Sequence, residues 1–99
     1  MSIRELTPQQ AHARIARGAR LIDVREEHER ASGMAEGALG VARAQLQDAP
    51  AAHLGATDAE VILICQSGRR SHEAALFLQQ AGYSAVASVL GGTTRWQRD

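Results

Sequence analysis

The sequence predicts an α/β fold, a mainly parallel central sheet flanked by helices on both faces, and three observations carry that prediction. The run Val61-Ile62-Leu63-Ile64 shows no polar alternation, as expected of a strand covered on both faces. It passes through Cys65 and the polar segment Gln66-Ser67-Gly68 into a helical spacing of Ala74, Phe77, Leu78 and Ala81, which Gly82 ends. Apolar runs on either side, Leu21 to Val24 and Ser84 to Val89, alternate with further helical segments, a pattern of parallel strands joined by crossovers. With 99 residues the chain suffices for one core and is too short for two, so residues 1–99 are expected to form a single domain.

Each element has a local reason. Thr7-Pro8-Gln9-Gln10 reads as a helix start: Thr7 at the N-cap, Pro8 at the first helical position, Gln10 completing a capping box. That helix is expected to run to about Arg17, with Ala11 and Ile15 inward and Gly18 as its stop. A strand follows from Arg20 to Val24, and its one acid, Asp23, is expected at the strand end, where it can find partners. Glu26 to Ala31 predicts a short helix closed by Gly33, and Ala38 to Val41 a short strand. Arg43 to Gly55, rich in alanine, predicts one or two helical turns broken near Pro50. Phe77 and Leu78 are expected in the core, and Trp96 is expected to anchor a last helix after Gly91-Gly92.

Composition excludes several function classes. Eleven Lys and Arg against 11 Asp and Glu leave no basic surplus to attract nucleic acid. Met1 to Leu6 lacks the apolar segment of a signal peptide, and no apolar stretch reaches the ~20 residues that span a bilayer, so no membrane role is expected. A lone cysteine makes no internal disulfide and suits a reducing compartment, hence the cytoplasm. His12, His28, His53 and His72 show no metal-ligand spacing, and no metal or cofactor is expected.

Cys65 is the candidate nucleophile. It sits where a strand breaks into a loop and then a helix, and the N–H groups and dipole of a helix start favour a thiolate over a thiol. Arg69 and Arg70 add positive charge beside it. His72 follows Ser71, but a thiolate needs no general base, so His72 reads as surface.

Three patches resemble the rhodanese family of sulfurtransferases, in its single-domain form. Leu21-Ile22-Asp23-Val24-Arg25-Glu26, followed by Glu29 and Gly33, resembles the family's first signature. Cys65-Gln66-Ser67-Gly68-Arg69-Arg70-Ser71 resembles its active-site loop, and Gly91-Gly92-Thr93-Thr94-Arg95-Trp96 its closing signature. One departure stands out: Met34-Ala35-Glu36 occupies the place where members usually carry His-Ile-Pro, which puts local packing in question.

The resemblance implies that Cys65 takes a sulfane sulfur from thiosulfate or a similar small anionic donor, becomes a persulfide, and passes the sulfur to a thiophilic acceptor. It also implies that Gln66, Ser67, Gly68, Arg69, Arg70 and Ser71 surround the substrate, with Ser67 and Ser71 able to donate hydrogen bonds. Asp23, Arg25 and Glu29 are expected to support the site, Asp23 and Arg25 pairing with each other or with Glu29. A second reading is a sulfur relay module that takes sulfur from a donor protein and hands it to an acceptor protein. The rival chemistry, a cysteine phosphatase or arsenate reductase, places an arginine six residues after the cysteine, where this chain has Ser71.

Overall fold

The computed structural model describes residues 3–98; Met1 and Ser2 of the amino-terminal segment, and Asp99, lie outside the described residues. In chain order the elements are β1 (Arg4–Leu6), α1 (Pro8–Ile15), β2 (Arg20–Asp23), α2 (Glu27–Arg30), β3 (Leu39–Gly40) and α3 (Arg43–Asp48). There follow α4 (Pro50–Leu54), β4 (Val61–Ile64), α5 (Arg69–Gln80), β5 (Val86–Val89) and α6 (Gly92–Arg98). The strands form one sheet in the order β1-β5-β4-β2-β3, and every neighbouring pair is parallel.

The all-apolar run of β4 lies in the middle, between β2 and β5, with all four residues buried. Alternation along the strands divides the core. Ile22, Val24, Val61, Leu63 and Val86 face Leu46 of α3, Leu54 of α4 and Ala74, Ala75 and Leu78 of α5. Leu21, Ile62, Ile64, Ala87 and Val89 face Ala11 of α1 on the other side, with Ile15 and Trp96 packed against them. Helices therefore cover both faces, as the sequence predicts.

Local chemistry explains the boundaries. Thr7 and Gln10 form the predicted capping box, with Gln10 Oε1 accepting from the Thr7 amide at 2.9 Å and Thr7 Oγ1 from the Gln10 amide at 3.2 Å. The α-helical stretch ends at Ile15, two residues before the predicted Arg17. Its last turn tightens, the Gly18 amide reaching the Ile15 carbonyl at 3.0 Å and the Ala19 amide the Arg14 carbonyl at 3.1 Å. Pro50 splits the alanine-rich region into α3 and α4, as expected. β1 was not predicted: it is a three-residue edge strand with only Leu6 buried, too short for any periodicity to show.

Phe77 is a correction, because it is 40% exposed and not in the core. The buried stripe of α5 is Ser71, Ala74, Ala75 and Leu78, an i, i+3, i+4, i+7 series that Phe77 and Ala81 miss. Small side chains on that stripe bring α5 close to β4 and β5. Trp96 behaves as predicted, packing partly buried beside α1 with its ring 4.3 Å from that of His12.

The loops after β4 and β5 meet at two glycines. Gly68 has φ 100°, and a Cβ there would touch the Val89 carbonyl at 3.1 Å. Gly92 has φ 57°, and a Cβ there would lie 2.4 Å from the Cys65 carbonyl oxygen. Gly92→Ala is therefore expected to destabilise the fold by about 1–3 kcal/mol or more, from overpacking and left-handed strain together. Urea unfolding measures this, and an unchanged midpoint would show that the two loops do not depend on their contact.

Candidate active site

Chain connectivity opens a gap at one end of the sheet. The crossover from β2 leads outward to β3, while that from β4 leads the opposite way to β5, so their following loops diverge. A crevice forms at such a switch point, outside the carboxyl ends of the strands. Asp23 ends β2 and Cys65 immediately follows β4, with Asp23 registered on Ile64, so both stand at that gap. A separate cleft of about 580 Å³ opens at the opposite end, against Arg14, Glu60, Gln79 and Ser84, and Cys65 does not line it.

Cys65 is buried, with 1% of its surface exposed and packed in the apolar cluster under α5, yet its sulfur also meets polar donors. The loop turns back at Gly68 so that Sγ accepts from the Gly68 amide at 3.1 Å and from the Ser71 amide at 3.3 Å. Burial pushes the thiol pKa up. The Ser71 hydroxyl and the amides of Ser71, Gly68 and Ser67 more than reverse this, leaving the thiol below its ordinary value. The Cys65 carbonyl is itself pinned from α6, by the Thr93 amide at 2.8 Å and the Thr93 hydroxyl at 3.0 Å.

Two ion pairs brace the gap. Asp23, 0% exposed, accepts from the Arg25 Nε on both oxygens at 3.1 Å, from Nη2 at 2.9 Å and from the Arg25 amide at 3.0 Å. Arg25 also donates to Gln66 Oε1 at 3.0 Å and to the Gly33 carbonyl at 2.6 Å, so β2's loop holds β4's loop. Of the two pairings open in the sequence, Asp23 with Arg25 is the one realised. Glu29 instead takes Arg70, in a bidentate pair at 2.7 and 2.8 Å. That pair lowers the Glu29 pKa to about 2, chiefly through the Arg70 hydrogen bonds, and raises Arg70, which also feels the charge of Cys65.

The structure thus gathers Cys65, Gly68 and Ser71 directly around the sulfur, with the Ser67 amide behind them. Arg70 lies near the sulfur but is held by Glu29, while Arg69 is exposed and has no acidic partner among the described residues. The Gln66 side chain spans Arg25 and Thr94, its Nε2 donating to Thr94 Oγ1 at 2.8 Å. His72 is half-exposed, 2.9 Å from Glu5. Sequence reasoning missed the clamping role of Thr93 and Thr94, although both stand inside the closing signature. It also missed Ser88, a lone hydroxyl in an otherwise apolar buried strand, whose polarity was the available signal. Where Met34-Ala35-Glu36 departs from the usual pattern, Ala35 is buried among the residues facing α1, so packing is kept.

A family model described as the Rhodanese-like domain matches residues 7–99. The chain belongs to the rhodanese-like sulfurtransferase family. A relative named Thiosulfate sulfurtransferase GlpE, from Haemophilus influenzae strain PittEE, is 34% identical over 98 residues, covering 99% of this chain and 91% of its own. The protein of the same name from Stutzerimonas stutzeri strain A1501 is 34% identical over 94 residues, covering 95% and 84%. Among solved structures, the human single-domain sulfurtransferase TSTD1 superposes with a TM-score of 0.86 at 27% identity, covering 96% of each chain. Within this rhodanese-like fold, no helix of the described residues is long and apolar enough to cross a membrane.

The Glu29–Arg70 pair has a defined acid signature. A carboxylate depressed on folding contributes stability above its unfolded value, near 4.5, and loses that contribution as pH falls toward about 2. Glu29→Gln is therefore expected to be less stable than the parent chain at neutral pH, with the difference shrinking between pH 4.5 and about 2. Urea titrations across that range measure it, and a pH-independent difference would remove Glu29 from the pairing.

Proposed function

We propose that this chain is a thiosulfate-type sulfurtransferase that carries the sulfur as a persulfide on Cys65. The observation that supports this best is a buried sulfur at the end of β4 that accepts from the main-chain N–H groups of Gly68 and Ser71. In the first step the Cys65 thiolate attacks the outer sulfur of thiosulfate. A new S–S bond forms, the donor's S–S bond breaks, and sulfite leaves with the electron pair. In the second step a nucleophile such as cyanide attacks the outer persulfide sulfur, that S–S bond breaks, and the Cys65 thiolate returns. The electrons balance without a cofactor.

The geometry suits this cycle. A persulfide would extend the side chain by about 2 Å beyond the buried sulfur. The persulfide is an anion, and the donors that favour the thiolate favour it for the same reason. An arginine six residues on, which tetrahedral oxyanion chemistry would need, is replaced by Ser71, whose amide already serves the sulfur. Arg70 supplies the nearer charge for an anionic donor, and Arg69 a weaker, screened attraction. The acceptor in this reading is a thiophilic small molecule or the thiol of a partner protein, and a lone free cysteine suits the cytoplasm.

Intact-mass measurement after thiosulfate treatment tests the reaction class. One sulfur atom is expected on the wild-type chain, released by cyanide and absent from Cys65→Ser; an unmodified wild type would sink the proposal, and loading from a protein donor alone would favour a relay. In steady-state assays Arg70→Ala is expected to raise KM for thiosulfate about tenfold, as loss of a charged hydrogen-bonding group, against less than about twofold for Arg69→Ala. Equal effects at both positions would refute the assignment of the nearer charge to Arg70.

A further inference from the structure

Ser88 is 1% exposed and sits in the middle of β5, where the flanking residues are all apolar. Strand alternation turns it to the α5 side, since Val86 packs in that cluster while Ala87 and Val89 pack in the other. Its side-chain partner among the described residues is Ser71 Oγ, at 2.7 Å. A buried hydroxyl proton without an acceptor is costly, so the Ser88 O–H must be the donor of that pair.

This assignment leaves the Ser71 proton with two destinations. One is the Gly68 carbonyl at 3.2 Å, and the other is the Cys65 sulfur, which already accepts the Ser71 amide at 3.3 Å and whose charged form the Ser71 hydroxyl favours. The Gly68 carbonyl also accepts the His72 amide at 3.2 Å, so it is not orphaned when Ser71 turns away. A thiol draws the Ser71 proton weakly, and a thiolate strongly.

We propose that Ser88 is a positioning residue for Cys65: by donating to Ser71 Oγ it commits the Ser71 hydroxyl proton to the sulfur whenever that sulfur is charged. The proposal rests on the persulfide reading above only for its place in catalysis, since the relay acts on the thiolate of the resting protein. Polarisation along the chain Ser88 to Ser71 to Cys65 strengthens the last bond.

Cys65 is the sole cysteine, so thiolate ultraviolet absorbance of the whole protein against pH reports this one group. Ser88→Ala is expected to lower the ionisation constant of the thiol, read from the midpoint of that titration, by ~2–5-fold, about a third of a charged hydrogen bond. Ser71→Ala should lower it about tenfold or more, and adding Ser88→Ala to it should change nothing further. Ser88→Thr should restore the titration, and Ser88→Val, of matching volume without the hydroxyl, should not. An unmoved curve in Ser88→Ala, or an equal shift from Ser88→Ala in the Ser71→Ala background, overturns the relay. Sulfur loading is read separately by mass: a wild type that titrates as described but takes up no sulfur refutes the sulfurtransfer reading and leaves the relay standing.

Discussion

The structure depends on one arrangement, a buried sulfur solvated by main-chain donors in place of water. Burial by itself opposes a thiolate, and here the amides of Gly68, Ser71 and Ser67 with the Ser71 hydroxyl outweigh it. Donors fixed in the backbone need no reorganisation when charge appears, so the set that favours the thiolate would serve the proposed persulfide equally. Holding them requires a loop that turns sharply, hence a left-handed Gly68, and a second loop pressed against the first, hence Gly92. Thr93 and Thr94 then fix the carbonyls of Cys65 and Gln66, which would otherwise face away from any strand partner.

Charge is arranged around this sulfur with restraint. Four of the arginines in or near the site are Arg25, Arg69, Arg70 and Arg43, and three of them are tied to Asp23, Glu29 and Glu73 respectively: Arg25, Arg70 and Arg43. The Asp23–Arg25 pair is fully buried, where removing either partner would strand the other's charge. It therefore acts as a brace between β2's loop and β4's loop. The Glu29–Arg70 pair is partly exposed, and Arg70 lies close enough to Cys65 to feel its charge.

Much of this was legible in the sequence, and the parts that were not share a cause. The unbroken apolar run of β4, the capping box at Thr7 and the break at Pro50 are local signals, and each predicted its element. Cys65, Gly68 and Ser71 were legible because strand, loop and helix follow directly in the chain. Phe77 falls outside the core because the spacing of Ala74, Phe77, Leu78 and Ala81 follows one edge of the helix, whereas the close approach of α5 selects Ser71, Ala74, Ala75 and Leu78 for the inner stripe. β1 is too short to carry a pattern. Thr93 and Ser88 act across the fold, on partners 28 and 17 residues away, and no local spacing encodes such contacts.

That same close approach links fold to chemistry. Ser71 is at once the first inward residue of α5, the donor of an amide to the sulfur and the partner of Ser88 on β5. A larger residue there would push the helix from the sheet and withdraw the amide from the sulfur. An arginine there, as oxyanion chemistry would want, would have to start from a position with no exposed surface, between α5 and β5, where burying its charge is costly. The small polar residue is the solution that keeps the helix seated and the sulfur solvated, and the proposed persulfide on Cys65 requires both.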